Sequence, residues 1–185
     1  MEALDALLNR VSLARLQAPA PDAAQREVLF RAALRAPDHG YLRPWRFLSI
    51  EGTAREKLGE LFVSAVLAKD PQAPEAATTK ARNMPMRAPL MVVVIAKLQA
   101  GHKVPEVEQL LSAGCAAHSI LLAAHAQGLG AIWRTGDMAY DLTVATGLGL
   151  AENERVVGFL YLGSVEGERR AAPELVPADF VQTWG

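Results

Sequence analysis

Apolar residues recur every three to four positions in several stretches of this chain, which is the spacing of an amphipathic helix. The clearest stretch follows Thr53, whose spacing to Glu56 matches a capping box and predicts the first turn. One face of this helix carries five apolar side chains: Leu58, Leu61, Phe62, Ala65 and Val66. We therefore expect it to pack against a sheet or another helix.

Capping and terminating residues predict three further helices. A short one covers residues 2–9, and Asp22 with Gln25 forms a second capping-box pattern. The helix that Asp22 opens must end near Ala36, because the residue before Pro37 avoids helical angles. The longest covers residues 106–127, is rich in small side chains, and ends at Gly128, a residue suited to a left-handed cap. Its small residues predict a close packing surface.

A continuous apolar run predicts the central strand. Residues 90–96 read LMVVVIA, without the alternation of a half-exposed strand, so both faces are expected to be buried. Shorter strands are predicted at residues 45–50, 130–134 and 156–162. The expected fold is an α/β sandwich with one sheet and helices on both faces. A length of 185 residues fits a single domain spanning residues 1–185.

Two segments lack any period. Residues 70–89 contain four prolines and predict a long irregular loop, of the kind that serves as a lid or binding segment. The tail, residues 171–185, contains Pro173 and Pro177 and can be ordered only by docking. Phe180 and Trp184 are the side chains expected to dock it on a partner subunit.

Charge and cysteine content narrow the partners and the compartment. The chain has 19 basic and 20 acidic residues and a formal net charge of -1, so it has no general attraction for nucleic acid or anionic lipid. Its one cysteine, Cys115, allows no intrachain disulfide and favours a reducing compartment. The N-terminus lacks a signal pattern, and the apolar stretch at residues 110–124 is shorter than the ~20 residues of a membrane-spanning helix. A cytoplasmic protein is predicted.

The candidate chemistry lies in dispersed cations. The chain has no glycine-rich phosphate loop and no zinc-type ligand spacing, and no metal site is predicted. What remains is a set of polar residues at the ends of predicted elements: Arg10, Ser12, Arg35, His39 and Arg134. Guanidinium groups bind phosphate through paired hydrogen bonds, so these residues together suit a phosphate and a polar ring edge.

The order of these residues resembles the FMN-dependent nitroreductase family. Residues 9–12 with Arg15 resemble its Arg-Arg-Ser-x-Arg phosphate motif, and residues 35–39 followed by Pro44-Trp45 resemble the segment placed against the flavin. The match continues in order at residues 87–89, 102–105, 112–114, 128–134 and 158–160. It covers nearly the whole chain and is closest to the compact YdjA-type NAD(P)H nitroreductases.

The resemblance implies an α+β nitroreductase-like fold with a central mixed sheet flanked by helices, and FMN at a homodimer interface. It implies an enzyme in which NADH or NADPH reduces the flavin, which then reduces nitro compounds, quinones or similar electron-poor acceptors by a ping-pong mechanism. No protein residue is predicted to be catalytic, because the flavin carries the chemistry. The residues implied for FMN are Arg10, Val11, Ser12, Arg35, His39, Trp133, Arg134 and Thr135. Those implied for NAD(P) are Ala123, Ala124, His125, Ala126, Gln127 and Gly128.

Two residues depart from the family pattern. Val11 replaces the second arginine of the phosphate motif, and Arg43 stands where a glutamine often precedes Pro-Trp. Both positions bear on flavin affinity and substrate choice. Two alternative functions also stay open. One is a flavoenzyme of the same fold with another reaction, such as flavin destruction, dehalogenation or enone reduction. The other is a non-catalytic flavin-binding dimer.

Overall fold

A five-stranded sheet forms the central layer of the computed structural model, which describes residues 1–185. The strands are β1 (Leu16–Gln17), β2 (Trp45–Glu51), β3 (Leu90–Lys97), β4 (Gly130–Arg134) and β5 (Glu154–Val165). Strand β5 pairs with β4, β3 and β1, and β3 pairs with β2. All these pairings are antiparallel rather than mixed. The reason is that β3 and β4 run in the same direction but have β5 between them.

Strand β3 is central and buried on both faces, as predicted. Its residues from Leu90 to Ala96 have no solvent exposure. Alternate side chains point into two cores, because successive residues of a strand face opposite sides of the sheet. Leu90 and Val92 pack with α2 and α5, whereas Met91 and Val93 pack with α3.

Six α-helices cover the two faces: α1 (Ala3–Asn9), α2 (Ala23–Ala33), α3 (Thr53–Lys69), α4 (Glu75–Asn83), α5 (Glu106–Ala126) and α6 (Leu142–Gly147). The capping box of α2 is confirmed: the Gln25 amide donates to Asp22 Oδ1 at 2.8 Å, and the Asp22 amide donates to Gln25 Oε1 at 2.9 Å. The predicted box of α3 is wrong. Thr53 is already helical, the N-cap is Gly52, and no side chain caps it.

Residues 70–89 do not form the predicted irregular lid. They contain α4 and a 3-10 turn at Met84–Arg87. Gly59 of α3 faces the backbone carbonyl of Arg82, where a Cβ would have no room. The Arg82 guanidinium also pairs with Glu60 of α3 at 2.6 Å. The prolines here begin and end short helices, and the close helix contact fixes the segment.

Helix α5 is longer than its apolar run indicates. By length and composition alone, its 21 residues are enough to cross a membrane. The prediction that this apolar segment is too short to span a membrane is therefore wrong. In the fold, its small residues Ala113, Ala116 and Ala124 are buried against the sheet, as the predicted packing surface requires. Its buried Gln109 satisfies backbone groups of Gln99 and Val104. These contacts are those of a core helix.

Candidate functional site

The segment after α1 lies along the outer edge of β4. Arg10 leaves the helix in an extended conformation, and the side chain of Val11 is buried. The Leu13 amide then donates to the Ala131 carbonyl at 3.0 Å. Since β4 pairs with β5 on one side only, its other edge is open to this contact. The fold therefore brings residues 10–12 close to the strand that carries residues 133 and 134.

Trp133 is held above the sheet by an irregularity in β5. The pairing of β3 with β5 shifts so that Val94 faces Gly158 and Ile95 faces Val156, which leaves Val157 as an extra residue. The Trp133 indole donates from Nε1 to the Val157 carbonyl at 3.3 Å. Bulges of this kind commonly redirect a side chain, here by offering a carbonyl to the indole.

Arg134 points to the opposite face of the sheet from Trp133. Its guanidinium carbon lies 5.9 Å from the centre of the Tyr161 ring. Burial raises the pKa of the Tyr161 hydroxyl, and the positive charges of Arg87 and Arg134 oppose that rise. Thr135 follows the end of the strand and is exposed. Trp133, Arg134 and Thr135 thus lie together at the end of a strand, but their side chains do not line the same wall of one pocket.

A cationic cluster lies at the C-terminal end of α5. The His125 ring is buried, and its Nδ1 lies 2.8 Å from the Arg169 guanidinium, which also donates to the Leu129 carbonyl at 3.2 Å. Burial lowers the pKa of His125, and the charges of Arg169 and Arg10 lower it further. A cavity of about 730 Å³ opens here, lined by residues that include Asn9, His125, Gly128, Arg169 and Arg170.

Arg169 was missed by the sequence interpretation. Its only signal is the pair of adjacent arginines that follows the last strand, in a tail without period. Nothing in that pattern indicates that residue 169 reaches the end of a helix that finishes at residue 126. The contact depends on where β5 ends relative to α5.

The stretch predicted for NAD(P) forms the last turn of α5 and mainly packs. Ala124 is fully buried in the core. Gln127 donates to the carbonyls of Gln25 and Ala123, which ties the end of α5 to α2. Of the six residues in the stretch, His125 and Gly128 line the cavity.

His39 lies at the other end of α5, beside its first turn. Arg35 follows α2 and is exposed, without a side-chain hydrogen bond in this chain. His39 Nδ1 is 2.7 Å from a carboxylate oxygen of Glu108, with the two side chains 64% and 44% exposed. From Glu108 to His125, α5 extends about 25 Å at a rise of ~1.5 Å per residue. One chain therefore holds its predicted flavin residues at two separate places.

An apolar groove runs between α5, α6 and the β4–β5 edge. It has a volume of about 1120 Å³, and its lining includes Leu110, Leu111, Trp133, Tyr140 and Leu142. Several of these large side chains are well exposed, and so are Phe180 and Trp184 of the tail. Contiguous exposed apolar surface of this kind marks an interaction site.

A comparison with protein families identifies the chain. The model of the nitroreductase family matches residues 7–164. The chain belongs to the nitroreductase family.

Two curated members of the family are similar over most of this chain. The Escherichia coli (strain K12) protein named "Putative NAD(P)H nitroreductase YdjA" is 44% identical over 164 residues, which are 89% of this chain and 88% of that protein. A Haemophilus influenzae protein named "Putative NAD(P)H nitroreductase" is 39% identical over 183 residues, 98% of each chain.

Solved nitroreductase structures share the fold. A nitroreductase-like family protein from Bacillus cereus superposes with a TM-score of 0.84 at 19% identity, covering 100% of this chain and 96% of its own. A nitroreductase with bound FMN from Bacteroides fragilis superposes with a TM-score of 0.75 at 21% identity, covering 100% of both chains. The predicted nitroreductase-like α+β fold is thus confirmed.

The two departures from the nitroreductase pattern lie in different environments. Val11 is buried, with 7% of its surface exposed, so an arginine here would have to turn out of the core. Arg43 is exposed and has a φ of 48°, in the left-handed region. Its amide donates to Asp38 Oδ2 at 2.8 Å, which stabilises this turn. Neither departure disturbs the fold.

Proposed function

We propose that this nitroreductase is an FMN-dependent oxidoreductase that uses NADH or NADPH to reduce nitro compounds, quinones or similar electron-poor acceptors. The names of the two curated relatives and the FMN-bound Bacteroides fragilis structure support the proposal. The observation in this chain that carries it is the cluster of arginines without acidic partners at the end of α5.

The residues of the cluster suit the phosphate of FMN. The chain contains five ion pairs, and neither Arg10, Arg169 nor Arg170 takes part in any of them. Arg10 and Arg169 are half-buried, and half-buried cations normally have an anionic partner, because desolvation of a lone charge is costly. A phosphate dianion would supply that charge, with Arg10 and Ser12 on one side, the backbone of Val11 beside them, and Arg169 opposite.

The separation of the two predicted groups supports a homodimer with composite sites. Arg10 acts on His125 near the last turn of α5, whereas His39 lies beside Glu108 in the first turn, about 25 Å away along the helix. A two-fold dimer would place Arg35 and His39 of one protomer against Arg10 and Trp133 of the other. The exposed tail, residues 171–185, would then cover the apolar groove of the partner, with Phe180 and Trp184 as its anchors.

The chain's own residues position the cofactor and exclude water. Held among these residues, FMN would supply the redox chemistry between the nicotinamide donor and the electron acceptor. Arg134 and Arg35 are the candidate cations for stabilising negative charge on the ring. Glu108 holds His39 through Nδ1, which leaves Nε2 free to exchange a proton. The apolar groove beside Trp133 would keep water from the ring once the partner's tail covers it.

Reconstitution with FMN tests the function. The purified apoprotein should bind FMN, and anaerobic addition of NADH or NADPH should bleach the yellow colour. Because both substrates need the same face of the flavin, steady-state kinetics should be ping-pong, with parallel reciprocal plots at several acceptor concentrations.

A protein that binds FMN but is not reduced by either nucleotide would instead be the non-catalytic dimer. A reducible protein that turns over enones or halogenated substrates, but not nitroarenes or quinones, would favour the alternative reactions. We also propose a cytoplasmic location, on the evidence of the single free cysteine.

A further inference from the structure

His125 has one ring nitrogen in use and one without a partner. Its Nδ1 lies 2.8 Å from the Arg169 guanidinium. A guanidinium only donates hydrogen bonds, so Nδ1 accepts, and the ring is neutral with its proton on Nε2. That Nε2–H is buried and has no hydrogen-bond partner in the chain. Buried donors are nearly always satisfied, so this one indicates an acceptor that the chain itself does not supply.

Arg169 is held in place by neutral groups. Its two hydrogen bonds go to His125 Nδ1 and to the Leu129 carbonyl. Neither acceptor neutralises the positive charge, and no carboxylate pairs with this guanidinium. The remaining N–H groups of Arg169 stay available to a ligand, and two of its five donors already fix the orientation of the fork.

The surroundings of His125 are predominantly cationic. The charges that act on its ring are those of Arg169 and Arg10. Arg170 lines the same cavity, and Glu174 is the one acidic residue in the lining. A donor on an uncharged ring, beside guanidinium groups that have no carboxylate partner, suits an anion with several acceptor oxygens, such as a phosphate monoester.

We propose that His125 is the positioning residue of a phosphate-monoester site, orienting Arg169 through Nδ1 and offering Nε2–H to a phosphate oxygen. The inference rests on the proposed function, because it takes the phosphate from the flavin or from the nicotinamide donor. Both the 5′-phosphate of FMN and the 2′-phosphate of NADPH have this chemistry. An aliphatic residue at position 125 would remove one of the two acceptors and leave the Leu129 carbonyl alone to hold the Arg169 side chain.

Phosphate discrimination measures the proposed role directly. The apoprotein is titrated with FMN and with riboflavin, which lacks the phosphate. For each variant, the dissociation constant of riboflavin is divided by that of FMN, so that a high ratio reports recognition of the phosphate. Arg169→Ala should lower this ratio about ten- to hundredfold, the loss expected for a charge-assisted contact. His125→Leu should lower it about tenfold, whereas His125→Gln, which keeps an acceptor and a donor, should retain most of it.

Two controls separate positioning from general effects. Arg170→Ala makes the same charge change one residue further on and should lower the ratio less than Arg169→Ala. His118→Leu makes the matched replacement at an exposed histidine of α5 and should leave the ratio unchanged. If His125 acts through Arg169, the fold decrease of the ratio in the double variant His125→Leu/Arg169→Ala should be smaller than the product of the decreases in the two single variants.

A second arm identifies the source of the phosphate. In FMN-loaded protein, the rate of flavin reduction at limiting NADPH is compared with that at limiting NADH. If His125→Leu slows flavin reduction by NADPH but not by NADH, and leaves the riboflavin-to-FMN ratio unchanged, the site belongs to the nucleotide phosphate. A loss confined to the flavin ratio assigns it to FMN.

The inference is overturned if a folded His125→Leu protein keeps the wild-type preference for FMN over riboflavin and the wild-type response to NADPH relative to NADH. The same holds if His125→Gln behaves like His125→Leu, because a Gln that restores neither contact would mean that position 125 serves packing alone. A wild-type protein that binds neither flavin contradicts the proposed function itself and is distinguished at the first titration.

Discussion

Replacing Gly158 by alanine should disturb the site through Trp133. A Cβ at Gly158 would overlap the Nε1, Cδ1 and Cε2 atoms of the Trp133 indole. The backbone of Gly158 is outside the left-handed region, so alanine itself is conformationally allowed. The destabilising part of the effect therefore comes from the indole, which must move away from β5.

The cost can be estimated from what the indole loses. Overpacking a fitted site costs typically ~1–3 kcal/mol. Breaking the bond from Nε1 to the Val157 carbonyl removes about 0.5–1.5 kcal/mol. Restricting the unfolded chain by a Gly-to-Ala change returns roughly 0.5–1 kcal/mol. The free energy of unfolding of Gly158→Ala should thus fall by about 0.5–4 kcal/mol, with a central value of ~2 kcal/mol.

Urea unfolding of the apoprotein, followed by circular dichroism and tryptophan emission, measures this change. Gly114→Ala is the matched control on the other side of the same ring, because its Cβ would lie 3.8 Å from Trp133 Cη2, an ordinary contact. That variant should be neutral or stabilised, since alanine is favoured over glycine in a helix.

In a Trp133→Ala background, Gly158→Ala should cost almost nothing, because there is no ring to displace. The flavin affinity of Gly158→Ala should fall together with its stability if Trp133 lines the site. A Gly158→Ala protein within ~0.5 kcal/mol of wild type, with unchanged tryptophan emission, would refute the clash and the role assigned to the bulge.

Three further outcomes are expected. Arg10→Ala and Arg35→Ala should each lose most FMN binding alone. An equal mixture refolded together should regain part of the binding, because one pocket of each heterodimer has both arginines. Heterodimers that recover no FMN binding would contradict the composite site. Deleting residues 175–185, which make only local hydrogen bonds, should raise the dimer dissociation constant seen by sedimentation, and an unchanged value would place the tail outside the interface. Because burial and nearby arginines hold the pKa of His125 below its ordinary 6.5, the unfolded chain takes up a proton first as pH falls. The free energy of unfolding of the apoprotein should therefore decline below about pH 6.5, with a slope of up to ~1.4 kcal/mol per pH unit. His125→Gln should lose this part of the slope. Equal slopes in the two proteins would show that His125 does not titrate in that range.

The sequence predicted the elements whose patterns are local. The apolar run at residues 90–96 indicated a strand with two buried faces, because only a central strand can bury every residue. Asp22 and Gln25 indicated the start of α2, since a capping box involves residues three apart. Residues 70–89 misled the interpretation, because prolines mark the ends of short helices as well as irregular loops. Only the contact of Gly59 with the Arg82 carbonyl decides between them.

For the site, the sequence supplied residue types and their resemblance to a family pattern, but not their places. Arg10 and His39 both belong to the family pattern, yet they lie near opposite ends of α5, where Glu108 and His125 are about 25 Å apart along the helix. Arg169 and His125 are distant in sequence, and they meet because β5 ends beside the last turn of α5. Such contacts depend on sheet order and helix packing, which no short segment encodes, so only the tertiary structure could reveal the cationic cluster.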